Sequence, residues 1–265
     1  MNPFMKKTIA LLLLSIIVLL GSCADEEVPP RTVRVAIIDT GISTDAIPAQ
    51  SIGEGANYLD PEQTTADTYG HGTAVASIIM ENTENAILVP LVSNAYDKGK
   101  ISFVDSDTFA QMIRDAVDVY DCEIINISAG LVLDKEAVRL AVKYAEEKGV
   151  LIVASAGNDY KENPGQIYYP AAYETVLAVG SLTSDGAAIS EFSQRGQWVN
   201  AFAVGEDVHI LTLSGADKTD SGSSYAAGKI TAAAVKLLQE NEDLAPAKLR
   251  ELLCRDNEAP DTTEE

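Results

Sequence analysis

Three positions carry side chains suited to acyl transfer, and each stands where one structural element gives way to the next. Asp39 closes the run Val35-Ala36-Ile37-Ile38-Asp39-Thr40-Gly41, a carboxylate at the end of a buried-strand pattern. That is the carboxyl edge at which open parallel sheets collect ligands. His71 lies in Tyr69-Gly70-His71-Gly72-Thr73 at the opening of a helical pattern, and the chain has only 2 histidines. Flanking glycines permit close backbone approach, which an imidazole that merely fills a core does not need. His209, inside the strand-like stretch 208–213, reads as structural. Ser224 lies in Gly222-Ser223-Ser224-Tyr225-Ala226-Ala227, ahead of an Ala-rich helical pattern. Taken singly, Asp39 reads as a turn residue and Ser224 as a helix cap. Taken together, acid, imidazole and hydroxyl in the order Asp39, His71, Ser224 form a set for general-base activation of a nucleophile. The free amides of a helix N-terminus would face the anion that such an attack creates.

Holding these groups in place requires an alternating chain. Apolar, β-branched runs at 33–39, 87–93, 123–128, 150–155 and 176–182 predict strands, and runs such as Leu151-Ile152-Val153-Ala154 are apolar without alternation. Such runs belong to strands buried on both faces of a parallel sheet. Helical patterns cover 72–81, 108–120 and 135–148, the last stopped by Gly149. Another covers 224–239 and is followed by one opening at Ala245-Pro246, with Pro in the first turn. Strand and helix in alternation predict an α/β fold, a mainly parallel central sheet flanked by helices in three layers. One folded unit spans 33–255 with no repeat or internal linker, and the acid-rich stretch 256–265 is expected to be a disordered tail.

The motifs resemble those of the subtilisin-like serine peptidases, the S8-type subtilase family. The resemblance rests on Val-Ala-Ile-Ile-Asp39-Thr-Gly, Gly-His71-Gly-Thr, Ile-Asn126-Ile-Ser128-Ala-Gly130, Ala-Ser-Ala-Gly-Asn158 and Gly222-Ser-Ser224-Tyr-Ala-Ala. Tyr169-Pro-Ala-Ala-Tyr, Ala178-Val-Gly-Ser and Phe192-Ser match in the same order, so it covers about 33–254. It implies a serine endopeptidase in which Ser224 attacks, His71 takes the proton, Asp39 orients His71, and Asn158 with the Ser224 amide binds the oxyanion. It also implies that Ser128, Ala129 and Gly130 form an edge for an extended peptide, and that 159–169, with Asp159 and Tyr168, lines the substrate side-chain pocket. A bulky Tyr168 would favour small residues, whereas Asp159 would favour basic ones. No metal or cofactor is expected. Three departures stand out: Ser223 and Tyr225 flank the nucleophile where the family usually has Thr and Met, and Gly228 replaces a Pro. Of the two adjacent serines, Ser224 is chosen because it holds the second place after Gly222. A non-catalytic lipoprotein that binds peptides is the alternative reading, and the presence of all four site residues counts against it.

Composition sets the partners. The chain has 265 residues, 19 basic against 40 acidic, and a net charge of -21. That excess repels phosphate backbones and anionic headgroups, so neither nucleic acid nor polybasic membrane attachment is expected. The resemblance implies a peptide or protein substrate as partner, and a monomer is expected. At the N-terminus, Lys6-Lys7 precede an apolar run from Ile9 to Leu20 and then Gly21-Ser22-Cys23. The run is shorter than the roughly 18 residues of a spanning helix and reads as an export signal over 1–22. Leu20-Gly21-Ser22-Cys23 resembles a bacterial lipobox, so Cys23 is expected to carry the lipid that holds the protein outside the cytoplasmic membrane. Residues 23–32 form the tether, which reaches at most roughly 30 Å. With so few residues ahead of Val33, the domain is expected to fold without the propeptide that relatives commonly carry. Cys122 and Cys254 are expected to be free thiols.

Overall fold

The computed structural model describes residues 30–97 and 99–260. The signal, Cys23 and the end of the acidic tail fall outside these residues. Seven strands form one sheet in the order β2-β3-β1-β6-β7-β8-β9, every neighbouring pair parallel. They are β1 (Val33–Asp39), β2 (Ala56–Asn57), β3 (Ala86–Val92), β6 (Ile124–Ile127), β7 (Leu151–Ser155), β8 (Val176–Leu182) and β9 (Ala201–Val204). From β1 the chain passes to β2 at the edge, returns with β3 between β2 and β1, then crosses to β6 on the other side of β1. The switch in direction therefore opens beside Asp39, the place where such sheets bind ligands.

The continuous apolar runs make sense once both faces are covered. Val35 and Ile37 of β1 point into one core, and Ala36 and Ile38 into the other, as the two-residue period of a strand requires. The first core lies under α1 (His71–Glu81), α4 (Ser223–Glu240) and α5 (Pro246–Asp256). The second lies under α2 (Ser106–Asp118) and α3 (Glu136–Glu147). The result is the three-layer α/β arrangement expected from the sequence.

Differences from the sequence reading are confined to ends and to short strands. Helix α2 starts at Ser106, ahead of the expected 108, because the Asp105 side chain accepts from the Thr108 amide at 2.8 Å. Strand β6 is shorter than the expected 123–128, and β3 sits one residue earlier than 87–93. Two antiparallel hairpins are present as well, β4 (Asn94–Asp97) with β5 (Lys100–Phe103) and β10 (Val208–Leu211) with β11 (Asp217–Asp220); β10 falls on the strand-like stretch 208–213, whereas β4, β5 and β11, like β2 and β9, were not expected. At the C-terminus, the Asn257 carbonyl accepts from the Phe202 amide at 2.8 Å, so ordered chain continues past 255. Cys122 and Cys254 are free. Burial pushes the Cys122 thiol up to about 12, which leaves it unreactive.

Candidate active site

Asp39 ends β1 and is 2% exposed. Its Oδ1 accepts the Thr40 amide at 2.7 Å, and both of its oxygens face Nδ1 of His71, at 2.8 and 2.9 Å. The pairing depends on backbone contact. A Cβ on Gly72 would lie 2.3 Å from the Gly41 carbonyl oxygen and 3.2 Å from the Asp39 Cβ. Only glycine lets the start of α1 sit against the end of β1, and the Gly72 amide bonds to the Thr40 hydroxyl at 2.9 Å. With Nδ1 turned to the carboxylate, Nε2 is left to act as base, and the ring keeps 27% of its surface open.

A second carboxylate organises this loop. Asp67 is buried, its Oδ1 accepting the Tyr69 and Gly70 amides and its Oδ2 the Thr73 amide and hydroxyl. These four bonds tie down the segment that carries His71. Burial alone would lower the imidazole, but Asp39, through charge and hydrogen bond, and the further charges of Asp67 and Asp220 outweigh it. The net direction is up. Sequence reasoning missed Asp67. The signal was an acid four residues before His71 with a glycine between.

The two adjacent serines separate cleanly. Ser223 is fully buried; its hydroxyl accepts the Gly157 amide at 3.2 Å and its amide donates to Asn158 Oδ1 at 2.8 Å. The Ser224 hydroxyl has no hydrogen-bond partner among the described residues, and Ser224 lines a depression of about 320 Å³ with Asn158, Ser128, Ala129, Gly130, Asp159 and Tyr168. Six sequence-chosen residues thus meet around Ser224. The bond from Ser223 fixes the Asn158 amide and leaves Nδ2 unpaired, and the Ser224 amide has no acceptor among the described residues. Both are donors at the opening of an 18-residue helix, where the dipole favours an anion. Ser128 is oriented from the core: Thr231 donates to Asn126 Oδ1 at 2.9 Å, and Asn126 Nδ2 donates to the Ser128 hydroxyl at 3.2 Å.

On the other side of Ser224, Tyr225 faces His71 with ring centroids 6.1 Å apart. It lines a second depression, of about 410 Å³, with His71, Leu211, Leu213, Lys218 and Asp220. Burial and the nearby Asp220 raise the Tyr225 hydroxyl, which stays protonated. His209 lies on β10 away from this site, its Nε2 2.8 Å from Asp217 Oδ1.

The Asp159 carboxylate departs from the sequence reading, in which it would attract basic side chains. Its Oδ1 accepts from Gln194 Nε2 at 2.9 Å, and its Oδ2 from the Tyr168 hydroxyl at 2.7 Å and from Asn163 Nδ2 at 2.8 Å. Burial works to raise it, but these three bonds win and hold it below the usual carboxylate range. Cys23 lies outside the described residues.

Comparison with known proteins points to one family. The profile described as the subtilase family matches residues 31–264. Subtilisin DY of Bacillus licheniformis is 29% identical over 226 residues, covering 83% of this chain and 82% of its own. The major intracellular serine protease of Bacillus subtilis (strain 168) is 30% identical over 240 residues, covering 83% and 73%. Among solved structures, a cold adapted subtilisin-like serine proteinase superposes with a TM-score of 0.73 at 27% identity, over 84% of this chain and 81% of that one.

Proposed function

Because the chain belongs to the subtilase family and is a subtilisin-type serine endopeptidase, we propose that Asp39, His71 and Ser224 are its catalytic groups, with Asn158 as an oxyanion donor. Ser224 Oγ attacks the scissile carbonyl carbon as its proton passes to Nε2 of His71, and the carbonyl electron pair moves onto oxygen. That oxyanion faces Nδ2 of Asn158 and the Ser224 amide, where one such donor contributes about 3–4 kcal/mol to the transition state. Collapse breaks the C–N bond, the amine leaving with the proton held on Nε2, and Ser224 remains acylated. Water then attacks the acyl group, gives its proton to His71, and the proton returns to Ser224 Oγ as the carboxylic acid departs. Asp39 fixes the ring and balances the imidazolium charge.

The observation that carries this reading is the buried Asp39 carboxylate on Nδ1 of His71. The peptide would cross from the depression beside Ser128–Gly130, where Ala129 and Gly130 have backbone groups with no backbone partner, to the one beside Tyr225. A fluorophosphonate probe tests the assignment. Wild type and Ser223→Ala should be labelled and Ser224→Ala should not. Labelling that survives in Ser224→Ala but disappears in Ser223→Ala would move the nucleophile by one residue.

The enzyme's setting belongs to the same proposal. Residues 1–22 direct export and are removed, Cys23 carries the lipid, and the domain acts outside the cytoplasmic membrane on exported peptides or proteins. The sequence from Lys6 to Cys23 supports this reading. Among the described residues, no helix is long and apolar enough to cross a membrane.

A further inference from the structure

A peptide acylating Ser224 must place its side chain in the depression shared by Ser224, Ser128–Gly130 and Gly157–Asp159, and that depression is spanned by one aromatic ring. A Cβ added to Gly130 would lie 3.1–3.3 Å from Cδ1, Cβ and Cγ of Tyr168. A Cβ added to Gly157 would lie 2.7–2.8 Å from Cδ2 and Cε2 of the same ring. Opposite edges of Tyr168 therefore touch opposite walls, and both walls are glycine at the point of contact. The ring fills the width that the two glycines open.

The ring is also pinned. Its hydroxyl donates to Asp159, and Asp159 is held from behind by Gln194, which is fully buried and donates to the Asn163 carbonyl at 2.8 Å as well. Swinging Tyr168 aside would break a charge-assisted bond and leave the Asp159 oxygen short of a donor. Asp159 in turn has little capacity left for a substrate cation, since three donors already occupy its two oxygens.

We propose that Tyr168 is the specificity-determining residue of this protease: it plugs the side-chain pocket and restricts the residue on the acyl side of the cleaved bond to Gly, Ala or Ser. Resting on the reading that Ser224 is acylated, it adds the substrate class. The opposing expectation, that Asp159 selects basic residues, fails because its carboxylate is spent on the plug.

Chromogenic peptides that differ only in that residue, with Ala, Phe or Lys, test the proposal alongside fluorophosphonate labelling. Wild type should take the label and cleave the Ala peptide at least about tenfold faster, by kcat/KM, than the Phe or Lys peptide. Tyr168→Ala should raise kcat/KM for the Phe peptide at least about tenfold. Tyr168→Phe keeps the ring and should keep the preference for Ala. A labelled wild type that cleaves the Phe or Lys peptide as fast as the Ala peptide overturns the plug and leaves the catalytic assignment standing. So does a folded Tyr168→Ala variant with unchanged selectivity. Failure to take the label overturns the catalytic assignment, and the plug with it.

Discussion

At the scale of single residues, charge around His71 sets the working pH. The base must be neutral to accept the Ser224 proton, so activity falls as pH drops through its pKa. Asp67 and Asp220 favour the imidazolium and move that limb upward. Asp220 is the one to test, because Asp67 also holds four bonds of the loop. Burial pushes Asp220 up, but Lys218 at 2.7 Å and the Ser221 amide outweigh it and keep it ionised across this range. In Asp220→Asn the His71 pKa should fall, and the acid limb of kcat/KM should move to lower pH by about 0.3–0.5 unit at low salt, less at high salt. A limb that stays put, or moves upward, removes Asp220 from the account. The residues proposed as catalytic were readable in the sequence because each sits in a short linear motif. Asp67 and Gln194 were not, because their importance comes from bonds to Tyr69–Thr73 and to Asp159 that form only on folding.

At the scale of elements, the long buried strands were legible and the short exposed ones were not. β1 and β8 appeared with their exact ends because each is a 7-residue strand, rich in apolar residues and buried at all but one position. β11 reads Asp-Lys-Thr-Asp and is mostly exposed, and β5 reads Lys-Ile-Ser-Phe, four residues that are exposed throughout, so neither stands out as a buried apolar run. Their hairpin partners, rather than burial, make them strands. These hairpins still matter to the site: Tyr96 on β4 packs on Tyr69 with centroids 4.8 Å apart, and β10–β11 frames the depression beside Tyr225. The junction of β1 with α1 is the most demanding contact. Gly72→Ala would force a methyl to within 2.3 Å of a backbone oxygen, so Asp39–Gly41 and His71 must move apart. The expected result is a loss of about 1–3 kcal/mol of stability together with a fall of about a hundredfold in kcat. Thermal unfolding and peptide hydrolysis read the two effects. Full activity in a folded Gly72→Ala enzyme would mean that the junction does not align the pair.

At the scale of the whole molecule, the point where the chain enters the domain and the candidate site lie at opposite ends of one strand. Arg31 anchors the entering chain, donating to the Leu238 carbonyl at 3.0 Å and to Glu123 at 2.7 Å, before β1 starts at Val33. Six residues later β1 delivers Asp39, roughly 20 Å further on at about 3.3 Å per residue. If Cys23 carries the proposed lipid, the chain it holds enters the domain at the amino edge of the sheet, while the proposed peptide groove opens at the carboxyl edge. The net charge of -21 works the same way, since an anionic headgroup layer repels the domain it holds. Substrates would then arrive from the aqueous side, and the anchor would confine the enzyme without shaping its pocket. Metabolic labelling with a radioactive fatty acid in a bacterial host should mark the wild-type chain. In Cys23→Ala the label should vanish and the protein should leave the membrane fraction, with kcat/KM on a soluble Ala peptide within about twofold of wild type, since the altered residue is none of the groups proposed to bind or cleave the peptide. Labelling that persists in Cys23→Ala would refute the lipid assignment, and a large loss of peptide hydrolysis would refute the separation of anchor from site.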